Sequence, residues 1–470
     1  MFNAVSYALT QGLYFIAFVF LVQCLRLLWK RPFPANAPTF VPGYPVVGAL
    51  QFFLDRKRFC DSSRAASSTR SYSYYLGQHR MVGLCGPQGR KTFFEGEYLD
   101  VDQGVSLLIP FANAVEKPTD QSIETHASYV RATIRRRLLR TQSLEFVPLA
   151  IEPCTTATLD RIATKGLIDP FSEIALFYAQ STMAVIGVSK VARSPELSRR
   201  VSKLTSLMSG TFSAADIVVP WLLNPLHIPK LVAIGWLYVM LWQGIRNQKR
   251  EEQQESLHKQ DPKKVGMLQD MVMKGRGTRA LLQVSEQTLM TTTFAAQGNS
   301  PTVASWILIM LAAYPHWMIR VRQEMDQVVA KHRKHSEPAD QVLRALNVST
   351  WEHEFPLLHA CLLETVRLVV VLVLIRKNIS PTDIPIGDTG EVIPPGAYVT
   401  YDAQEVTRDP GIYTDPERWD PGRFLSDRAE HLKGVLAFTG FGGGRKKCLS
   451  ESSNIDSGGE DGQQVRYQPV

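Results

Sequence analysis

A chain of 470 residues, 45% of them hydrophobic, has enough apolar material for one large core or two to three smaller ones, which excludes a disordered protein. The formal net charge of +8 permits contact with anionic lipid, acidic protein partners or nucleic acid, but no nucleic-acid motif accompanies it. Six cysteines (Cys24, Cys60, Cys85, Cys154, Cys361 and Cys448) lack paired spacing, so neither a disulfide framework nor a zinc site is indicated, and all but Cys448 read as reduced thiols.

In chain order, no charge precedes Arg26, and Gly12 to Val22 is continuously apolar. With milder residues before it, this run reaches membrane length, so residues 1–31 are predicted to be a single transmembrane anchor. Arg26, Lys30 and Arg31 follow it and place the body of the protein on the cytosolic side. A cleaved signal peptide is the alternative, but the stretch has no basic start and no small-x-small cleavage site. Residues 32–48 carry Pro32, Pro34, Pro38, Pro42 and Pro45, a density that reads as a stiff extended hinge.

From Tyr72 to Glu95, short β-like runs punctuated by Gly77-Gln78 and by Gly86-Pro87-Gln88-Gly89 predict a small antiparallel sheet. Glu124 to Ala150 reads as a helix carrying Arg131, Arg135, Arg136, Arg137 and Arg140. The step of four from Arg131 to Arg135 puts two guanidinium groups on one face, where they could grip a pair of carboxylates; most of these arginines also suit a solvated cationic face. Residues 151–280 read as several helices. Within them the apolar run Leu231 to Trp242, broken by Gly235, is too short to demand a second span and suits either a core helix or one that dips into a membrane. Arg246 to Lys264 reads as a solvated helix end and loop.

A long helix starting near Ser285 carries Ala295-Ala296-Gln297-Gly298-Asn299-Ser300; the plain alternative to a functional role is that Gly298 and Pro301 kink a core helix. A later helix carries Glu364-Thr365-Val366-Arg367, whose acid and base share one face. Near the end stands Phe441-Gly442-Gly443-Gly444-Arg445-Lys446-Lys447-Cys448, one cysteine at the end of a glycine-rich loop flanked by cations. Positive charge lowers a thiol's pKa, and glycines let backbone N–H groups turn toward the sulfur, so this loop suits a metal-ligating or nucleophilic thiolate. A plain glycine-rich turn is the alternative. A phosphate loop is disfavoured, because neither the spaced glycines nor a Gly-Lys-Ser/Thr ending is present.

The spacing of Phe441, Gly444 and Cys448 resembles the haem-binding loop of the cytochrome P450 family. That resemblance implies a mainly α fold with small β-sheets, haem b as cofactor, and Cys448 as the axial thiolate of its iron. By the same resemblance Phe441, Gly444 and Lys446 belong to the cofactor loop, Lys446 standing where the family has Arg or His, and Ser450 standing where it has Gly. Arg376, together with Arg131 or Arg135, would meet the haem propionates. Glu364, Arg367 and Arg423 would form the family's buried structural triad, with Gly422 in place of the usual glutamate. Counting from Trp306 and Pro315, Gly298 and Asn299 fall where the oxygen-binding helix normally carries an acid and a threonine. An amide can hydrogen-bond and hold water but does not titrate near neutral pH. Gln-Gly-Asn ahead of a proline resembles the branch that holds steroid 7α-hydroxylase and prostacyclin synthase, one a monooxygenase and the other an isomerase.

The implied organisation is anchor 1–31, hinge 32–48, haem-thiolate domain 49–449 and polar tail 450–470. The implied function is a monooxygenase of the endoplasmic-reticulum membrane that oxidises a lipophilic, terpenoid- or sterol-like molecule. Its partners would be NADPH-cytochrome P450 reductase and membrane lipid, and no nucleic acid. An isomerase or dehydratase of the same fold, working without reductase, stays open because of Gly298 and Asn299. So does a haem-free binding protein, because the family's apolar helix and β-hairpin after the cysteine have no match in 450–470. From that polar run the expectation is weak or incomplete haem occupancy, since an iron site needs a dry wall around it.

Overall fold

The computed structural model describes residues 25–107, 147–209, 214–219, 227–255, 296–371 and 373–444, with positions 11, 14, 18 and 22. The fold is mainly helical, with two small sheets among the described residues. One sheet has six strands, β1 (Thr39–Phe40), β2 (Tyr72–Leu76), β3 (His79–Leu84), β4 (Leu99–Asp100), β5 (Val373–Asn378) and β8 (Tyr398–Asp402), in the order β1-β2-β3-β8-β5-β4. The other pairs β6 (Ile384–Pro385) with β7 (Val392–Ile393).

The β2–β3 hairpin forms as its sequence predicts. Leu76 pairs with His79 across Gly77-Gln78, and Gly77 takes a φ of +57° that a residue with a side chain rarely adopts. Tyr72 and Tyr74 share one face of β2, and both pack on Phe59 of helix α1 (Arg56–Ala65). The second glycine cluster does something else: Gly86–Glu95 is a helix, α2, rather than more sheet. Gly86 turns the chain at φ +71°, and Pro87, in the helix's first turn, costs no hydrogen bond there. That start signal outranked the punctuation reading.

After β4 and the short helix α3 (Val101–Val105), the helical layer is built by α4 (Val147–Ala163), α5 (Pro170–Ile186), α6 (Pro195–Ser209), α7 (Ala214–Val218) and α8 (His227–Glu255). Helix α5 shows why its ends fall where they do. The Asp169 side chain accepts the Phe171 N–H, Pro170 opens the first turn, and Gly187 closes the helix at φ +102°. Gly235 does not break α8, which runs through it with open space where a Cβ would stand. Residues 256–264 of the expected solvated stretch lie outside the described residues.

Helices α9 (Ser300–Ala313) and α10 (Pro315–His332) meet at a bend of 110°, and α11 (Pro356–Val369) packs against both. The Glu324 carboxylate of α10 accepts the N–H groups of Leu357 (2.6 Å) and Leu358 (3.0 Å), satisfying orphan donors at the start of α11 with a negative charge. Leu311, Trp317, Leu357, Leu368 and Trp419 bury the joint between these helices.

Among the described residues no single helix is long and apolar enough to cross a membrane. Most of the predicted anchor 1–31 lies outside the described residues, as do 108–146, with most of the expected basic helix, and 285–295, with the start of the helix expected from Ser285. Described positions 11, 14, 18, 22 and 25–28 are helical. The hinge that follows is docked on the sheet: Tyr75 Oη donates to the Arg31 carbonyl at 2.7 Å, and Phe33 packs against Tyr75 with ring centroids 5.0 Å apart.

Candidate functional site

Two arrangements built by α11, β5 and the loops that follow converge on the start of the cysteine loop. The first is a buried charge network. On α11 the spacing of three brings Arg367 onto Glu364, with Nε 2.7 Å from Oε2 and Nη2 2.9 Å from Oε1. Arg423, from the short 3-10 turn Pro421–Phe424, adds Nε at 3.0 Å from Glu364 Oε1. All three side chains are 0–1% exposed. A buried ion survives only when its remaining donors are satisfied, and here the backbone does much of that work. Arg367 Nη1 donates to the Thr407 carbonyl at 2.6 Å, while Arg423 donates to the Thr414 (2.8 Å) and Arg418 (3.0 Å) carbonyls. The Tyr413 ring lies under both guanidinium groups, at 4.9 and 5.9 Å.

Glu430 is a fourth member that spacing did not reveal. Its Oε2 takes Arg423 Nη1 at 2.8 Å, its Oε1 takes Arg428 Nη2 at 2.8 Å, and the residue is 2% exposed. Burial opposes its charge, yet the hydrogen bonds from Arg428 and Arg423 win and hold its carboxyl down to about 2. The same residues account for Gly422. A Cβ there would stand 3.1 Å from Asp420 Oδ1 and 3.2 Å from the Trp317 ring, with Arg428, bonded to Asp420 at 2.5 Å, close behind. In sequence Glu430 is one acid in a charged stretch, so no periodic signal could have found it.

The second arrangement is a buried cation with no ion-paired carboxylate among the described residues. Arg376 on β5 is 4% exposed, and among the described residues no carboxylate comes within ion-pair distance. Its guanidinium lies over the Phe93 ring at 4.8 Å, and Nη1 stands 3.4 Å from the Phe94 carbonyl. Burial pulls it down to about 10, against an opposing pull from Asp100. Desolvating a cation without a partner is costly, so an anion is the chemistry this position asks for.

The cysteine loop begins at the same carbonyl. Gly444 holds φ +63°, and a Cβ on it would stand 2.2 Å from Phe94 O; one on Gly443 would meet Leu436 at 2.9 Å and the Phe94 ring at 3.0 Å. Phe441 stacks edgewise toward Phe438 at 5.9 Å, and Gly440 lets the loop press on Val366 of α11. Arg376, Gly444 and Phe441 are thus brought together, and α11 joins them to the triad. Gly298 and Asn299 are exposed at the start of α9, on a different element packed against α11. Arg131, Arg135, Lys446 and Cys448 lie outside the described residues. The four described cysteines are free and buried, and burial pushes Cys60 up to about 11 and Cys361 up to about 12, which leaves them poor nucleophiles.

The cytochrome P450 family model matches residues 38–452. Cytochrome P450 monooxygenase AacuE of Aspergillus aculeatus is 27% identical over 94% of this chain and 87% of its own length. Cytochrome P450 monooxygenase nsrP of Aspergillus novofumigatus is 27% identical over 86% and 77%, and the obtusifoliol 14-alpha demethylase of Triticum aestivum is 23% identical over 88% and 87%. Among solved structures, retinoic acid-bound cyanobacterial CYP120A1 shares the fold, with a TM-score of 0.67, 20% identity and 88% of each chain covered. With a family model spanning most of its length and its cysteine loop, charge triad and sheet in the arrangement described, the chain belongs to the cytochrome P450 family, whose haem iron is held by a cysteine thiolate.

Proposed function

We propose that the protein is a haem-thiolate monooxygenase that oxidises a lipophilic, terpenoid- or sterol-like molecule with dioxygen and electrons from NADPH-cytochrome P450 reductase. The observation that carries this reading is Arg376, a buried guanidinium with no carboxylate in ion-pair contact among the described residues, beside the glycines of the cysteine loop. It fits a haem propionate, and Gly443 and Gly444 let the loop lie close against Phe94 and Leu436, where side chains would clash. Bound there, haem supplies oxidising chemistry at unactivated C–H bonds, for which thiolate ligation is suited.

The chain's own residues then divide the work. Cys448 holds the iron, with Lys446 and one of Arg131 and Arg135 offering charge to the carboxylates. Phe441 and Gly444 shape the loop, and Glu364, Arg367, Arg423 and Glu430 lock the region beneath it. Asn299 has no side-chain cap bond to its own helix, so its amide is available to hold a water that delivers protons. Gly298 leaves space beside it.

Helix α8 exposes Ile228, Leu231, Val232, Trp236 and Val239, an apolar face suited to lipid in addition to the anchor 1–31. That placement supports the endoplasmic-reticulum membrane as the site of action. A test of the central reading is haem content per chain. Arg376→Leu is expected to lower it several-fold while Arg376→Lys retains part of it, and equal content in all three proteins would defeat the assignment.

Gly298 and Asn299, in place of an acid and an alcohol, favour one second reading, an isomerase or dehydratase that rearranges an oxygenated lipid without reductase. Turnover that continues in the absence of any reductase would select it.

A further inference from the structure

Pro301 has no N–H, so the Gln297 carbonyl four residues earlier lacks the bond that would close its turn. The helix continues regardless: Ala296 to Gly298 are helical, Asn299 holds φ −95° and ψ −43°, and the ladder resumes with Val303 N–H on the Asn299 carbonyl at 3.1 Å. The turn that bears Gly298 and Asn299 is therefore short of one backbone bond. A side chain holds it instead. Gln297 Nε2 donates to Thr182 Oγ1 of α5 at 3.3 Å.

Gln297, Pro301 and Ser305 stand at i, i+4 and i+8, one stripe of the helix, and that stripe faces α5. Ser305, 0% exposed, places its hydroxyl 3.2 Å from the Pro170 carbonyl, and Trp306 meets Phe171 edgewise at 5.8 Å. The helix is thus pinned to α5 at two levels, at opposite ends of α5. Asn299, about 200° round the helix from Gln297, is turned away from α5 and is exposed.

We infer that Gln297 is a positioning residue: its hydrogen bond to Thr182 holds the turn that Pro301 weakens and so fixes the direction in which Asn299 presents its amide. This rests on the reading of Asn299 as the residue that holds the proton-delivering water. Gln297, between Ala296 and Gly298, thereby acquires a function in oxygen chemistry through a contact with another helix.

The test uses the full chain with Gln297→Leu, Thr182→Val, the double variant, Thr182→Ser and Asn299→Ala. Amide hydrogen exchange over residues 296–300 is expected to rise about fivefold in each of the first two, the size of one net hydrogen bond. The double variant should rise no further, Thr182→Ser should restore protection, and Asn299→Ala should leave it unchanged. In haem-loaded protein with reductase and substrate, hydrogen peroxide released per NADPH consumed is expected to rise in Gln297→Leu and Thr182→Val as it does in Asn299→Ala, with Thr182→Ser again rescuing.

Unchanged exchange in both single variants, or an additive double variant, overturns the pin. Faster exchange with an unchanged peroxide ratio, in a protein whose Asn299→Ala variant raises that ratio, overturns the positioning role. A peroxide ratio that Asn299→Ala leaves unchanged defeats the Asn299 reading itself and the positioning role with it, while exchange still judges the pin.

Discussion

Cysteines separate by environment at the scale of single residues. Cys60, Cys85, Cys154 and Cys361 are buried thiols whose ionisation is suppressed by desolvation, so they pack rather than react. Cys448→Ala is expected to abolish the thiolate signature in reduced carbon-monoxide difference spectra, whereas Cys60→Ala, Cys85→Ala and Cys154→Ala should keep it. Retention of the signature in Cys448→Ala would put the iron ligand elsewhere. Glu430 gives a second prediction, this time in pH. Its native carboxyl titrates at about 2, below the ordinary glutamate range, so it binds fewer protons folded than unfolded in the window between. The stability it contributes is present above pH about 4.5 and is lost as pH falls toward 2, a change of roughly 2–3 kcal/mol for a shift of this size. Urea midpoints measured across that window should fall less steeply in Glu430→Gln than in the parent, and parallel slopes would remove Glu430 from the network's energetics.

Elements differ in how openly the sequence announces them. The β2–β3 hairpin was legible because Gly77-Gln78 is a local turn signal, and α11 because its acid–base spacing matches a helical face. Gly86–Glu95 is a helix although Gly-Pro reads both as punctuation and as a helix start, and only its packing on the central strands β3 and β8 chose between them. Helix α8 illustrates a different ambiguity. Its apolar run suits a core or a lipid surface equally, and its exposure shows that Ile228, Leu231 and Trp236 are not core while Ala233 and Leu237 are. That exposed face and residues 1–31 make separable predictions. Alkaline carbonate should leave the full chain with the membrane pellet, and a chain starting near Pro32 should be extracted more readily while retaining partial attachment through α8. Equal extraction of the two would remove the anchor reading.

At the scale of the whole molecule, the network around Glu364 ties α11 to the later stretch 407–418, through the carbonyls of Thr407, Thr414 and Arg418. Removing one charge from such a group strands the others, at a cost on the order of 3–5 kcal/mol, a large part of a typical stability of about 5–15 kcal/mol. Arg423→Met is therefore expected to lower the denaturation midpoint sharply and to reduce soluble yield, and a midpoint unchanged from the parent would show that the loops are held by packing alone. The motifs Glu-x-x-Arg and Phe-x-x-Gly-x-x-x-Cys were legible in sequence because local spacing needs no partner to be read. The partners were not legible. Glu430 reaches Arg423 across a turn, Gln297 reaches Thr182 across 115 residues, and Arg376 shares the Phe94 carbonyl with the loop of Gly444. Contacts of that kind depend on which helices and strands become neighbours, and that is decided by the burial of the whole chain. The sequence by itself determined the motifs, the helical character of most of the chain and the hairpin; only the tertiary structure decided that Arg376 is buried with no ion-paired carboxylate among the described residues, that Gly422 is tolerated because Trp317 and Arg428 fill its surroundings, and that the turn bearing Asn299 is bonded to another helix.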